Sequence, residues 1–135
     1  MTRLLGSEPV PVREESDLLL VRQLVRARAA ELGFGLLSLT KIVTAASELG
    51  RNTLIHGGGG TMLLETIAEG ERRGVRLTFE DRGPGIANLD RAMTDGFTTM
   101  GGMGLGLGGS KRLVDQFDLV SRVGEGTRVT VTRWA

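Results

Sequence analysis

The chain has no cysteine and no tyrosine, and it contains one histidine and three prolines among its 135 residues. Without cysteine it can form no disulfide, no thiolate metal site and no cysteine nucleophile. It also lacks any run of about 18 apolar residues, the length that a membrane-spanning helix requires. The N-terminal segment MTRLLGSEPV is too short and too interrupted for a signal peptide. These absences predict a cytoplasmic protein.

An excess of charge of either sign is also missing, because 17 Lys and Arg face 16 Asp and Glu. With a net charge of +1 and no run of like charges, the sequence predicts neither a nucleic-acid partner nor a membrane partner. Hydrophobic residues make up 40% of the chain and charged residues 24%, which is typical of a folded domain. The length favours a single domain over residues 1–135. Residues 1–8 are expected to form a flexible tail.

Apolar spacing predicts the order strand, helix, helix, strand, strand, loop, helix, strand, strand. The expected elements are an edge strand over 9–13, a helix over 17–32 with Ser16 as its N-cap, a helix over 38–56, strands over 61–69 and 75–81, a short helix over 88–95 capped by Asn88, a helix that opens around Leu105 and carries Leu113, Val114 and Phe117, and strands over 118–123 and 127–134. This order suits an α/β two-layer sandwich, in which three helices cover one face of a mixed, mostly antiparallel sheet.

Glycine is abundant, with 21 residues, about twice the usual share of roughly 7%. One block spans 57–60, and another group lies between 83 and 109. In the second group Met103, Leu105 and Leu107 alternate with glycines, whereas a flexible linker would carry serine and other polar residues there. We therefore expect a ligand-binding loop inside the domain.

Glu48 and Asn52 lie four residues apart on the second predicted helix, so their side chains project side by side. Their face carries small or apolar neighbours, Thr44, Ala45 and Ile55, which leave room for a ligand. A carboxylate and an amide oxygen one turn apart can orient a nucleophile and hold Mg²⁺, which takes few protein oxygens. The same spacing also occurs on ordinary polar helix faces.

Asp81 opens the motif DRGPG and continues the apolar alternation of Val75, Leu77 and Phe79. A carboxylate in that phase is costly to bury unless a donor meets it. An exocyclic amine such as adenine N6 can be this donor, whereas guanine O6 would be repelled. Gly83 and Gly85 would let a flat base approach the backbone. The alternative is an aspartate that caps a Gly-Pro turn.

The run GGMGLGLG over 101–108 stands immediately before a predicted helix. Glycines let successive backbone N–H groups converge, and a helix N-terminus adds positive potential, so the run can cradle phosphate. Glycine-rich loops also serve as hinges. A P-loop is excluded because no GK[ST] follows.

In this order, ExxxN, DxGxG and GxGxG resemble the N, G1 and G2 boxes of the GHKL ATP-binding superfamily. The later segment GEGTRVTV is similar to the one in which that superfamily places a threonine near adenine, here Thr127. The resemblance covers nearly the whole chain from Asp17. In detail the sequence is similar to the RsbT-type serine-protein kinases of bacterial stressosomes and related partner-switching modules.

The resemblance implies a Bergerat-type sandwich that binds ATP with Mg²⁺ and phosphorylates a serine, less often a threonine, on a STAS-domain protein. It implies that Glu48 is the general base, that Asn52 holds Mg²⁺, that Asp81 reads adenine and that segment 86–104 is the ATP lid. The implied ATP-binding residues are Asn52, Asp81, Gly83, Gly85, Ile86, Thr98, Thr99, Gly101, Gly102, Met103, Gly104, Leu105, Gly106, Leu107 and Thr127. It also implies that the kinase, once released from its phosphorylated partner, binds and activates a PP2C-type phosphatase.

Two other functions fit the same motifs. One is an anti-sigma factor that acts mainly by sequestration, with ATP as a binding switch, and the other is a simple ATPase. A sensor histidine kinase is disfavoured because the only histidine, His56, stands at the end of the predicted ATP-site helix. Gyrase-like and chaperone-like relatives carry further domains. The motifs specify neither the individual partner nor an oligomeric state.

Overall fold

The structure, a computed structural model of the chain, describes residues 1–93 and 106–135. Hydrophobic alternation with a period of two produces its strands, and apolar stripes with a period near 3.6 produce its two long helices. The elements of the described part are β1 (Thr2–Val12), α1 (Glu15–Glu31), α2 (Leu36–Ile55), β2 (Gly60–Glu69), β3 (Arg72–Asp81), α3 (Leu89–Ala92), α4 (Gly106–Lys111), β4 (Gln116–Arg122) and β5 (Gly126–Trp134).

The five strands form one sheet in the order β1-β2-β3-β5-β4. Each neighbouring pair in this sheet is antiparallel, so the described strands contain no parallel pair, although we expected a mixed sheet. The hairpins β2–β3 and β4–β5 have short turns, which only antiparallel strands allow. The two-layer α/β fold itself is confirmed.

One face of the sheet packs against α1 and α2 to form the core. Each helix contributes a buried stripe, and the sheet contributes alternate residues. The buried members include Leu18, Val21, Val25 and Ala29 from α1, Leu39, Ile42, Ala46 and Leu49 from α2, and Met62, Leu64, Leu77, Phe79, Val129 and Val131 from the sheet. Within residues 1–93 and 106–135, no helix is long and apolar enough to cross a membrane.

The expectation of a flexible tail over 1–8 is wrong, because β1 begins at Thr2 and pairs with β2 along its length. The Thr2 hydroxyl donates a hydrogen bond to Glu69 Oε2 at 3.0 Å. This bond, with a second from Arg72, holds the pKa of the Glu69 carboxyl below its usual value. Pro9 and Pro11 made the strand look short, but an edge strand tolerates missing N–H donors.

Helix α1 begins two residues earlier than expected, with Glu14 rather than Ser16 as its N-cap. The Asp17 carboxylate accepts hydrogen bonds from the backbone N–H groups of Arg13 and Glu14, at 2.9 and 3.0 Å. An ionised acceptor binds these exposed donors more strongly than a hydroxyl does. Asp17 therefore fixes the start of the helix.

The expected third helix is shorter than its apolar residues suggested. Helix α4 ends at Lys111, so Leu113 and Val114 follow it and Phe117 lies in β4, where exposed and half-buried residues alternate. Asn88 is confirmed as the cap of the short helix α3, since its Oδ1 accepts the Arg91 N–H at 2.9 Å. Helix α3 ends at Ala92 with Met93 as its C-cap, so the predicted helix over 88–95 is too long. The predicted helix start at 105 falls outside the described residues.

Replacing Leu64 with alanine should lower the free energy of unfolding by about 2–5 kcal/mol, because the side chain is fully buried between sheet and helices. Denaturant unfolding measures the change. Leu37→Ala removes the same atoms from a side chain that is 69% exposed, and it should shift stability by no more than about 0.5 kcal/mol. Equal losses in the two variants would contradict the assigned core.

Candidate functional site

A row of polar and small residues crosses the helix-facing side of the sheet at one end. The strand register places Asp81 opposite both Gly60 and Thr127, and Thr127 opposite Ser121. Residues directly opposite each other on paired strands project from the same face. The next row on this face is apolar and consists of Met62, Phe79, Val129 and Leu119. The polar row therefore marks the place where the core ends.

Asp81 is the ionisable member of this row, and it is half-buried. Its Oδ1 accepts the backbone N–H of Gly83 at 2.9 Å, which fixes the turn that follows β3. The end of α2 lies directly against its carboxyl group, since a Cβ built on Gly57 would come within 2.3 Å of Asp81 Cγ. Only a residue without a side chain fits between the helix end and this carboxylate.

The two glycines of the DxGxG motif are required by close backbone packing. A Cβ on Gly83 would lie 2.7 Å from the Gly57 Cα, and a Cβ on Gly85 would lie 2.2 Å from the Arg122 carbonyl oxygen. Gly85 also has a φ of 76°, which disfavours other residues. Gly85 lines the cavity described next, whereas Gly83 does not.

A cavity of about 690 Å³ opens over the polar row and runs along α2. This volume lies in the range of small-molecule and cofactor sites. Eight of the predicted site residues line it together, namely Glu48, Asn52, Asp81, Gly85, Ile86, Gly106, Leu107 and Thr127. Of the other predicted residues, Gly83 is described but does not line the cavity. Thr98, Thr99, Gly101, Gly102, Met103, Gly104 and Leu105 lie outside the described part of the chain, as does much of the predicted lid.

The two polar residues of α2 face this cavity from its wall. Glu48 and Asn52 are both half-buried, one helical turn apart, and Leu49 between them is buried in the core. Beneath them the Thr53 hydroxyl donates to the Leu49 carbonyl at 3.0 Å, so it is satisfied within the helix. The cavity thus has a carboxylate and an amide on α2 and a second carboxylate, Asp81, on the sheet.

Both signs of charge surround the opening. Besides Glu48 and Asp81, the lining residues include the acidic Glu15 and the basic Arg51 and Arg91. A polyanionic ligand needs such cations near its charged end, because isolated charges are costly to desolvate. The apolar residues Ile55 and Ile86 also line the cavity.

The donor set fits Mg²⁺ only as an ion that arrives with a ligand. Among the described residues there is no group of three or more His, Cys, Asp or Glu that could hold a metal. Mg²⁺ keeps several waters and takes one or two protein oxygens beside phosphate oxygens. The Asn52 amide oxygen, with Glu48 nearby, meets that requirement.

Sequence reasoning missed two residues of the site. Gly57 was assigned only to the end of the helix, although its contact with Asp81 sets the shape of the cavity floor. Ser121 was assigned only to a strand, yet its hydroxyl contacts Thr127 Oγ1 at 2.8 Å. The turn 124–126 fixes the register of β4 and β5, so counting back from Thr127 would have found Ser121.

Comparison with known proteins identifies the family of the chain. Residues 38–134 match the family described as histidine kinase-, DNA gyrase B- and HSP90-like ATPases. The chain is 44% identical, over 93% of its length and 94% of the relative's, to the serine/threonine-protein kinase RsbT of Bacillus subtilis. It is 34% identical to an anti-sigma F factor of Anoxybacillus flavithermus, over 83% of this chain and 80% of that protein.

The fold is also similar to a solved structure, that of the RsbU and RsbW domains of Rv1364c from Mycobacterium tuberculosis. The TM-score is 0.64 at 22% sequence identity, and the similarity covers 95% of this chain. The chain spans 32% of that larger protein, so the likeness concerns the fold of one part of it.

Gly57→Ala should lower the free energy of unfolding by about 1–3 kcal/mol, because the new methyl group overlaps Asp81 and forces the helix end away from β3. Thermal or denaturant unfolding measures this loss. Gly6→Ala is the matched control, since a Cβ there meets nothing within 4 Å and its change should stay within about 1 kcal/mol. If Gly57→Ala were as stable as the control, the helix end would not lie against Asp81.

Proposed function

Because the chain belongs to the family of histidine kinase-, DNA gyrase B- and HSP90-like ATPases, we propose that it is an ATP-dependent serine/threonine-protein kinase of a bacterial partner-switching module. Its substrate is a serine, less often a threonine, on a STAS-domain protein, and it acts in the cytoplasm. The relative named serine/threonine-protein kinase RsbT supports the reaction type. The observation that carries the proposal is the single cavity that joins Asp81 on the sheet to Glu48 and Asn52 on α2.

The two ends of this cavity suit the two ends of ATP. Helix α2 ends at Ile55, beside the contact between Gly57 and Asp81, and Glu48 lies seven residues before that end. At 1.5 Å per residue this places Glu48 about 10 Å along the helix from the Asp81 end. We assign the adenine base to the Asp81 end and the triphosphate to the Glu48 end.

At the base end, Asp81 supplies acceptors only. Its Oδ1 already accepts the Gly83 N–H, so Oδ2 is available to accept from an exocyclic amine. Thr127, directly opposite on β5, places a hydroxyl beside it. A keto group in place of the amine would face a carboxylate oxygen, so this end selects adenine over guanine.

At the triphosphate end, Glu48 is placed to accept the proton of the attacking hydroxyl, and the Asn52 amide oxygen to hold Mg²⁺. When bound with the nucleotide, Mg²⁺ neutralises charge on the transferring phosphoryl group. Phosphoryl transfer depends mainly on positioning and charge neutralisation. Gly106 and Leu107 at the start of α4 line this cavity, and we extend the phosphate cradle to 101–105 and the lid over 86–104.

The partner-switching role has a second part in this proposal. Once the STAS protein is phosphorylated and released, the kinase is free to bind and activate a PP2C-type phosphatase. The 34% identity to an anti-sigma F factor favours a second candidate function, sequestration of a sigma subunit with ATP as the switch. Co-purification with a sigma subunit rather than with a STAS protein would support this second function.

Asp81→Asn should weaken ATP binding by about 1–3 kcal/mol, because a mixed amide replaces a pure acceptor beside the adenine amine. Nucleotide titration measures the change. Asp118→Asn makes the same substitution at an exposed position of β4 and should leave ATP affinity unchanged. Unchanged ATP affinity and unchanged ATP over GTP preference in Asp81→Asn would remove Asp81 from the base site.

Glu48→Gln and Asn52→Ala should produce defects of different kinds. Glu48→Gln keeps the size of the side chain but cannot accept a proton, so ATP should still bind while phosphorylation slows by roughly 10²–10⁴. Asn52→Ala should weaken Mg²⁺-dependent binding and turnover together. Single-turnover transfer from labelled ATP to serine on a STAS-domain protein, run beside nucleotide titration, separates the two.

Glu71→Gln is the control for this pair, because Glu71 is exposed at the turn between β2 and β3. It should transfer phosphate at the parental rate. If Glu48→Gln also transferred at the parental rate, Glu48 would not be the base. Label released only as free phosphate, with none on protein, would indicate an ATPase.

A further inference from the structure

Ser121 joins three parts of the cavity wall through one hydroxyl group. Its Oγ accepts the backbone N–H of Ile86 at 2.8 Å and donates to the Gly126 carbonyl oxygen at 3.2 Å. It also lies 2.8 Å from Thr127 Oγ1, where either hydroxyl could donate. Ile86 and Thr127 line the cavity, whereas Ser121 contacts both of them without lining it.

The donor in the contact between Ser121 and Thr127 can be inferred from the hydrogens that the neighbouring groups supply. A serine hydroxyl has one hydrogen to donate and two lone pairs that accept. The Ile86 N–H can only donate and the Gly126 carbonyl can only accept, so they take one lone pair and the hydrogen of Ser121. All three contacts are satisfied only when Thr127 donates its own hydrogen to the second lone pair of Ser121.

This arrangement leaves Thr127 without a hydrogen for the cavity. Its Oγ1 then presents lone pairs beside Asp81, which lies directly opposite on β3. Two neighbouring acceptors suit an amine, which has two hydrogens. They disfavour a keto oxygen in the same place, because the oxygens of Asp81, Thr127 and the keto group would then meet with no hydrogen between them.

We propose that Ser121 is a positioning residue for base selection, which acts by holding the Thr127 hydroxyl as an acceptor toward the cavity. This inference rests on the proposed function, since it assumes that the base lies at the Asp81 end. Ser121 itself does not touch the ligand. The hydrogen bond that Ser121 accepts from Ile86 holds the turn after β3. Loss of that bond alone would weaken the binding of all purine nucleotides alike.

The test compares ATP with inosine triphosphate, in which a keto group replaces the amine. Both affinities are measured by titration in the parent, Ser121→Ala, Ser121→Thr, Thr127→Val and the double variant. Ser121→Ala frees the Thr127 hydrogen to turn toward a keto oxygen, so the ATP over inosine triphosphate preference should fall about three- to tenfold. Ser121→Thr keeps the hydroxyl and should keep the preference.

The double variant separates positioning from a structural role. In the Thr127→Val background no hydroxyl remains to be oriented, so adding Ser121→Ala should leave the preference unchanged. A proportional loss of both affinities in Ser121→Ala, with the preference intact, would overturn the proposal and leave Ser121 as a turn anchor. Should Ser121→Ala fail to fold, Ser121→Cys keeps the shape with a much weaker donor and should shift the preference in the same direction.

Failure of the wider proposal has a different signature. A parent protein that binds ATP no more tightly than inosine triphosphate would refute the base site at Asp81, and the role of Ser121 with it. A parent that prefers ATP, with a Ser121→Ala variant that prefers it equally, refutes the role of Ser121 alone.

Discussion

The cost of ending an apolar sheet face on a carboxylate is the constraint on which the rest of the site depends. Asp81 follows Val75, Leu77 and Phe79 in the same alternation, and these three are buried while Asp81 opens into the cavity. A carboxylate in that place must be met by donors. The Gly83 N–H satisfies one of its oxygens, and we assign the other to the exocyclic amine of the adenine. Strand β3 thus contributes to both the core and the ligand site, and Asp81 marks the boundary between them on this strand.

Helix α2 connects this boundary to the reacting end of the proposed site. Its buried stripe, from Leu39 to Thr53, holds it on the sheet, and its end stops against Asp81 because Gly57 has no side chain. The same rigid helix carries Glu48 and Asn52 on a neighbouring face. In the proposed site, the distance between the adenine and the attacking hydroxyl is therefore set by helix geometry rather than by a loop. Positioning of this kind is the main requirement of phosphoryl transfer.

The sequence predicted the sheet, the two long helices and the meeting of Glu48, Asn52, Asp81 and Thr127, because hydrophobic periodicity and four motifs in order constrain each other. It misjudged features that depend on tertiary partners. Strand β1 extends to Thr2 because β2 pairs with it along its whole length. The two prolines of β1 made a shorter strand the expected one. Phe117 was predicted in a helix but lies in β4, directly opposite Val131 on β5. Gly83 packs against the Gly57 backbone, where a Cβ would not fit, and the DxGxG motif alone did not indicate this contact. Contacts between distant residues leave no local pattern to read.

The central claim is that one cavity holds the adenine of ATP at Asp81 and its terminal phosphate near Glu48 and Asn52. A crystal structure of the protein with Mg²⁺ and a non-hydrolysable ATP analogue tests this claim most directly. The account predicts that the adenine amine lies within hydrogen-bond distance of Asp81 Oδ2, and that the metal contacts the Asn52 amide oxygen. A nucleotide bound outside this cavity, or bound inside it with its phosphates at Asp81, would contradict the account.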